Sequence, residues 1–276
     1  MICFPNAKIN LGLNIVEKRS DGFHNIETVF YPINWCDALE VIENKEFQKG
    51  DEKINLSISG ILVEGNTQDN LIAKAYKLVD AAYNLPPVKA HLHKVIPMGA
   101  GLGGGSSDAA FFIKLLNDKF SLNLSATEQL NFTKQLGSDC AFFIENKPVY
   151  ASGKGDVFSE VKIDLSRYCV VVVYPAVHSN TALAYKGVVL IKPQKNIQSI
   201  ITSEIEIWKE ELTNDFEKTI FIQHPELQNI KSIFYTKGAL YASMSGSGSA
   251  VYSIFKNDID VQEFNFPINY LIWKSK

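Results

Sequence analysis

The run Pro97-Met98-Gly99-Ala100-Gly101-Leu102-Gly103-Gly104-Gly105-Ser106-Ser107 carries no charge and leads directly into Asp108-Ala109-Ala110-Phe111-Phe112-Ile113-Lys114-Leu115-Leu116. Glycine is costly inside a regular element and permissive at a sharp turn, so this run reads as a loop. The stretch behind it reads as a helix. A loop set before a helix N-terminus presents unpaired N–H groups and the positive end of the helix dipole to whatever lies in front of it. That arrangement is a phosphate cradle built mainly from main-chain donors. The bland alternative is a glycine-rich corner with no ligand.

Two other glycine motifs are excluded first. Gly99, Gly101 and Gly104 formally satisfy G-x-G-x-x-G. A dinucleotide fold, however, needs an acidic residue about 20 positions further on for the ribose, and Ser121-Leu122-Asn123-Leu124-Ser125-Ala126 supplies none. The P-loop pattern G-x-x-x-x-G-K-[ST] is absent, as are the H-R-D and D-F-G elements of protein kinases.

A chain of 276 residues suits two packed domains, placed here at 1–155 and 156–276. A formal net charge of -3 gives no electrostatic footprint for nucleic acid or anionic lipid, so any phosphate binding must be local. Cys3, Cys36, Cys140 and Cys169 lack C-x-x-C spacing, which argues against a metal cluster or disulfide framework and fits a reducing compartment. The N-terminus has no basic segment followed by a long apolar one, and no stretch is long enough to span a membrane, so a cytoplasmic protein is expected.

Along the chain, residues 8–15 alternate: Ile9, Leu11, Leu13 and Ile15 share one face, and Lys8, Asn10, Gly12 and Asn14 the other. Asp21-Gly22 predicts a hairpin turn, with residues 23–30 as the returning strand. Strands are expected at 38–42, 54–59 and 88–96, and a helix at 70–79 closed by Pro86-Pro87. Ser125 and Glu128 match a capping box, and Gly137 is expected to close that helix in the left-handed conformation. Past Gly153-Lys154-Gly155-Asp156 an α+β unit follows, with strands at 168–174, 239–244 and 250–255 around Ser245-Gly246-Ser247-Gly248-Ser249, and a connection at 192–196.

Three segments together resemble the signature of the GHMP kinases: Pro5-Asn6-Ala7-Lys8-Ile9-Asn10-Leu11-Gly12-Leu13, the glycine loop, and Met244-Ser245-Gly246-Ser247-Gly248-Ser249-Ala250. The resemblance implies an α+β fold of two domains, N-terminal ribosomal-protein-S5-like and C-terminal α/β sandwich, with the active site in the cleft between them. Arg19-Ser20-Asp21-Gly22-Phe23-His24, the long glycine run and Gly137-Ser138-Asp139-Cys140-Ala141-Phe142-Phe143 narrow it further. They resemble the branch that phosphorylates the 2-hydroxyl of a methylerythritol bearing a cytidine diphosphate group, in the non-mevalonate isoprenoid pathway. Two positions depart from that pattern: Phe23 stands where Tyr is usual, and Cys140-Ala141 where Val-Pro is usual. Neither removes a reacting group.

The resemblance implies ATP as donor, with Mg2+ expected, and residues 97–107 as the ATP loop; the sequence identifies no metal ligands. It makes Asp139 the catalytic base and Lys8 its partner, holding the carboxylate ionised and lying close to the transferring phosphoryl group. Taken alone, Asp139 reads sooner as a helix N-cap than as a base, and Lys8 as a solvated charge. Ser106 and Ser107 sit where the helix needs a cap, a role compatible with facing phosphates or magnesium. Phe23, His24 and Tyr185 match the cytidine pocket, two aromatics stacking the base with the imidazole at its edge. Asn10 is assigned to the sugar-alcohol end of the acceptor. The third motif braces the site wall, and the sequence leaves monomer or homodimer open.

Two rivals stay open: a mevalonate, homoserine or galactose kinase of the same fold, and a catalytically silent nucleotide-binding regulator. The Phe23-His24 pair argues against the first, and retention of Lys8 with Asp139 against the second.

Overall fold

The computed structural model describes residues 1–177, 179, 181–188, 190 and 195–275, so part of the expected connection, residues 192–194, lies outside the described residues. In chain order the strands are β1 (Ile2–Cys3), β2 (Asn6–Lys18), β3 (His24–Cys36), β4 (Ala38–Glu43), β5 (Ile54–Gly60), β6 (Val88–Lys94), β7 (Val149–Ser152), β8 (Val157–Glu160), β9 (Cys169–Tyr174), β10 (Tyr241–Met244), β11 (Val251–Phe255) and β12 (Leu271–Lys274). The α-helices are α1 (Leu71–Tyr83), α2 (Gly104–Phe120), α3 (Ala126–Lys134), α4 (Phe142–Glu145), α5 (Thr181–Lys186), α6 (Ile197–Ile201), α7 (Trp208–Glu211), α8 (Glu217–Gln223) and α9 (Pro225–Thr236). The chain forms two compact units that interleave in sequence: Met1–Ala7, Asn34–Met98 and Gly103–Lys147 in one, Lys8–Ile33, Gly99–Leu102 and the chain from Pro148 onward in the other. The boundary read at 155/156 falls within the second unit.

The first unit is built on a sheet in the order β1-β4-β6-β5, with β4 antiparallel and β5 parallel to β6. The alternation of β6 buries Val88, Ala90, Leu92 and Lys94 and exposes His91 and His93. On the buried face, Ile72, Tyr76 and Val79 of α1 and Phe112, Ile113 and Leu116 of α2 join Leu39, Val41, Ile54 and Leu92 in one core. Each such side chain contributes about 1.5–3 kcal/mol relative to leaving it exposed. The Asn70 side chain caps α1 by accepting from Ile72 N–H at 2.9 Å, and Asn84, left-handed at φ 46°, ends it before Pro86-Pro87.

The capping box of α3 is present, both its Ser125 and Glu128 arms formed. Its other end differs from expectation. Gly137 is extended, with φ 166° and ψ 159°, and the helix closes instead at Gln135, whose N–H reaches back to the Phe132 and Thr133 carbonyls. An aspartate-bearing 3₁₀ turn, Ser138–Ala141, starts immediately afterwards, and extended backbone at 137 is what redirects the chain into it.

In the second unit β10-β11-β9-β12 form one sheet, over which Leu227, Ile230 and Phe234 of α9 meet Val171, Val173 and Phe255. The other sheet runs β2-β3-β7-β8. Its first hairpin turns where predicted, with Arg19 N–H bonded to the Phe23 carbonyl at 2.9 Å and Gly22 at φ 84°. The returning strand runs on to Cys36, beyond the expected end at residue 30.

β2 departs from the half-exposed strand that its alternation suggests, because residues 6–15 are buried on both faces. The middle of its polar face is hydrogen-bonded internally. Tyr252 OH donates to the Asn10 carbonyl at 2.7 Å, Asn10 Nδ2 to Thr28 Oγ1 at 3.0 Å, and Thr28 Oγ1 to the Gly12 carbonyl at 2.6 Å. Buried polar groups of this kind are stable when paired, as Asn10 and Thr28 are here.

Candidate active site

The glycine loop is constructed by left-handed backbone. Gly99, Gly101 and Gly103 have φ of 69°, 79° and 69°, a region that disfavours any residue with a Cβ. The helix begins at Gly104, earlier than its apolar periodicity suggests, and Gly103 is its N-cap, with no side-chain capping bond. Ser106 and Ser107 therefore lie inside the first turn and do not cap it, correcting the expectation. Ser107 is fully buried and its hydroxyl has no hydrogen-bond partner among the described residues.

Within the second unit the third motif packs on this loop as a brace. Ser245 Oγ donates to the Gly101 carbonyl at 2.9 Å, and Ala250 N–H to the Ala100 carbonyl at 3.0 Å. A Cβ on Gly101 would lie 1.8 Å from the Ser245 carbonyl oxygen, and one on Gly248 2.1 Å from the Ala100 carbon. Both glycines are required by close backbone approach.

Lys8 and Asn10 share a face of β2, as the alternation predicts: Lys8 Nζ donates to Asn10 Oδ1 at 2.5 Å. The same ammonium donates to the Gly101 carbonyl at 3.0 Å and lies 4.9 Å from the centre of the Phe30 ring. Lys8 is only 3% exposed, which rules out the solvated-charge reading.

Asp139 is the second residue of the 3₁₀ turn whose N-cap is Gly137, so it does not cap that turn. It is half-buried, and Ser138 Oγ donates to its Oδ1 at 3.3 Å. Its neighbour Cys140 is fully buried, and burial pushes the thiol up to about 11 against a hydrogen bond with Ser106. Cys140 is thus a packing thiol beneath α2, not a nucleophile.

The three residues of the expected cytidine pocket do not form an open slot. Tyr185 stacks on His24, ring centres 4.7 Å apart and planes 16° from parallel, and meets Phe216 edge-on at 4.8 Å. Phe23 is 58% exposed, with Lys154 Nζ 5.0 Å from its ring centre. His24 and Tyr185 are brought together; Phe23 offers an open aromatic face.

The GHMP kinases N terminal domain pattern matches residues 70–147, and the GHMP kinases C terminal pattern residues 196–264. The chain belongs to the GHMP kinase family. This GHMP kinase is 47% identical to a 4-diphosphocytidyl-2-C-methyl-D-erythritol kinase of Bacteroides thetaiotaomicron over the whole of both chains. It is 50% identical to one of Cytophaga hutchinsonii, over 92% of each. A crystal structure titled 4-(cytidine 5'-diphospho)-2C-methyl-D-erythritol kinase superposes with a TM-score of 0.77 at 29% identity, covering 92% of this chain and 90% of that one. The Methanococcus jannaschii mevalonate kinase, at 18% identity and TM-score 0.74, shares the fold.

Two features of this GHMP kinase escaped sequence reasoning. One is a cavity of about 260 Å³ in the first unit, lined by residues including Ile58, Asn66, Leu71, Leu92, Met98 and Asp108. Its wall includes residues of the stretch 63–69, whose one element is the short 3₁₀ helix Thr67–Asp69, too brief to show periodicity in the sequence. The other is a buried ionic group, Lys94 with Asp37 and Asp108, assembled from three separate segments. As to a metal, the described residues hold no cluster of three His, Cys, Asp or Glu. Magnesium needs none, since it keeps waters and substrate phosphates and takes few protein oxygens. The unpartnered hydroxyl of Ser107, in the first turn behind the loop, is an oxygen of the right kind.

Proposed function

We infer that this GHMP kinase transfers the γ-phosphoryl group of ATP to the 2-hydroxyl of 4-diphosphocytidyl-2-C-methyl-D-erythritol, a step of the non-mevalonate isoprenoid pathway. The observation that carries the acceptor is the 47% identity, over both full lengths, to a kinase so named. The chemistry is supported by the loop itself: left-handed glycines ahead of a helix N-terminus, with a buried lysine anchored on the loop carbonyl of Gly101.

Phosphoryl transfer asks little covalent chemistry of a protein; positioning and charge stabilisation do most of it. Residues 97–107 would hold the nucleotide's phosphates on main-chain N–H groups, and the cavity walled by Asn66, Leu71, Leu92 and Met98 would take its base. Lys8, fixed between Asn10 and Gly101, would meet the charge that develops on the transferring group. Asp139 would orient the acceptor hydroxyl and take its proton. Asn10 would contact the sugar-alcohol end. Phe23 would stack the cytosine, with His24 at its polar edge and Tyr185 behind the imidazole. Magnesium, held by Ser107 together with the phosphates, would neutralise phosphate charge. We place the enzyme in the cytoplasm, where its free cysteines stay reduced.

A coupled assay of ADP release tests the reading. Turnover is expected with the cytidylylated acceptor and not with mevalonate, homoserine or galactose. Turnover on one of those instead would reassign the substrate, and nucleotide binding with no turnover on any would make the protein a silent regulator.

A further inference from the structure

Lys94 ends an inward-facing row, Val88, Ala90, Leu92, where an apolar residue is expected. Its side chain is 0% exposed. An ammonium so placed is tolerated only with partners that replace its hydration. It has two: it donates to Asp37 Oδ2 in a short bond and to Asp108 Oδ2 at 2.8 Å. Asp37 and Asp108 are as deeply buried, at 0% and 3% side-chain exposure.

What these partners touch gives the group its meaning. Asp37 Oδ1 accepts the backbone N–H groups of Val95 and Ile96, at 2.5 and 2.8 Å. Those residues carry the chain from β6 to Pro97, the entry of the glycine loop. Asp108 belongs to α2, the exit of the same loop. One ammonium therefore ties the two ends of the loop together. The first residue of α2 records the closeness, since a Cβ on Gly104 would lie 2.9 Å from Lys94 Nζ and 2.9 Å from Ile96 Cγ2. Glycine at 104 thus makes room for the lysine, a constraint separate from phosphate binding. Lys94 and Asp108 also line the cavity, together with Met98 and Gly105.

We propose that Lys94, Asp37 and Asp108 are positioning residues for phosphoryl transfer, a buried clamp that holds the entry and exit of the glycine loop at the spacing the nucleotide's phosphates require. The clamp acts on the phosphates through the loop backbone, while Lys94 and Asp108 also stand in the wall of the cavity assigned to the base. It rests on the reading of the loop as the ATP site. The arrangement is more than fold stabilisation, because a hydrophobic trio would fill the same volume without bonding the loop's own N–H groups, and burying ions instead is often neutral or costly for stability.

The test is calorimetric titration of the full chain with a non-hydrolysable ATP analogue and, separately, with the cytidylylated acceptor. Asp108→Ala removes one arm, Lys94→Met removes the ammonium while keeping its stem, and Asp108→Asn restores an oxygen that can accept from Lys94. Asp80→Ala serves as control: it breaks the Lys53 ion pair of the same unit, at 2.7 Å, away from the loop segments. Each of the first two variants loses a hydrogen bond to a charged group, so both should weaken the ATP analogue about tenfold or more. Acceptor affinity should stay near wild type, Asp108→Asn should recover most of the loss, and the control should bind both ligands normally. Should Asp108→Ala fail to fold, Lys94→Met carries the test. Unchanged ATP-analogue affinity in a folded variant, or equal loss for both ligands, would overturn the clamp. Wild-type protein that does not bind the ATP analogue would overturn the functional reading itself, a result distinct from either.

Discussion

The ammonium of Lys8 donates to the carbonyl of Gly101 at 3.0 Å, joining a buried strand to the tip of the glycine loop. The carbonyl is available because Gly101, at φ 79°, turns its backbone in a way few other residues would. Lys8 is thereby aimed without being solvated. Lys8→Met should keep the stem's packing while removing the charge. Loss of one preorganised charge-stabilising donor lowers kcat by about 10²–10³. The expected result is that drop with KM for ATP within a few-fold; steady-state kinetics with both substrates varied would check it, and near-normal kcat would remove Lys8 from the mechanism.

Asp139 sits in a 3₁₀ turn, where it has no capping duty to lose. Asp139→Asn keeps the side chain's size and an oxygen for the Ser138 hydroxyl to bond, while removing the base. Turnover should fall by about 10²–10⁴ if general-base work is its task. Binding of the ATP analogue should be retained, because the amide leaves the loop untouched. A variant with wild-type kcat would return Asp139 to a structural role.

Elements whose periodicity is local were legible in the sequence, and those whose logic is tertiary were not. The strand–loop–helix order around the glycines, the helix ahead of Pro86-Pro87 and the capping box of α3 follow from short-range patterns, and all three are present, though α1 runs from Leu71 to Tyr83 with Asn70 as its cap. The polar face of β2 looked solvent-facing because alternation cannot say what covers it; residues more than 200 positions away, Ser245 and Tyr252, do so. The serines looked like caps because Gly103 caps through backbone conformation alone. Lys94 was invisible for the same reason as its partners: Asp37, Lys94 and Asp108 meet only after the sheet and α2 have folded.

Gly103→Val places a β-branched side chain at a left-handed N-cap, φ 69°. The left-handed conformation costs an L-residue about 1–2 kcal/mol, more when it is branched. The loop should relax away from its cradle shape, weakening the ATP analogue while leaving acceptor affinity near wild type. Calorimetry with each ligand separates the two, and unchanged nucleotide affinity in a folded variant would mean the loop binds something else.

Burial pushes the Asp108 carboxyl up to about 7; Lys94 opposes this and the Asp37 carboxylate reinforces it. The Cys3 thiol of β1 also senses Asp108. A carboxyl whose folded value is raised binds its proton more tightly folded than unfolded, so the native state loses stability as pH rises from about 4 to about 7. Asp108→Asn cannot ionise and escapes that loss. The melting temperature of the variant minus that of wild type should therefore increase across this window and level off above it. A difference that is flat with pH would mean Asp108 does not titrate there.

The last prediction concerns the acceptor. Phe23 presents an exposed ring, whereas Tyr185 is already stacked on His24 at 4.7 Å, closer than two rings with a base between them. A cytosine can thus stack on the exposed Phe23 ring, beside the Lys154 ammonium 5.0 Å from its centre, but it cannot enter between His24 and Tyr185 unless that stack parts. Base–aromatic stacking is worth about 1–3 kcal/mol, so Phe23→Ala should lower kcat/KM for the cytidylylated acceptor about tenfold to a hundredfold. His24→Ala removes the edge contact, about 0.5–1.5 kcal/mol net, and also uncovers one face of Tyr185. Its penalty should be of similar size, with KM for ATP unchanged in both variants. Steady-state kinetics on each variant would decide; if both handle the acceptor normally, cytidine recognition lies elsewhere on this kinase.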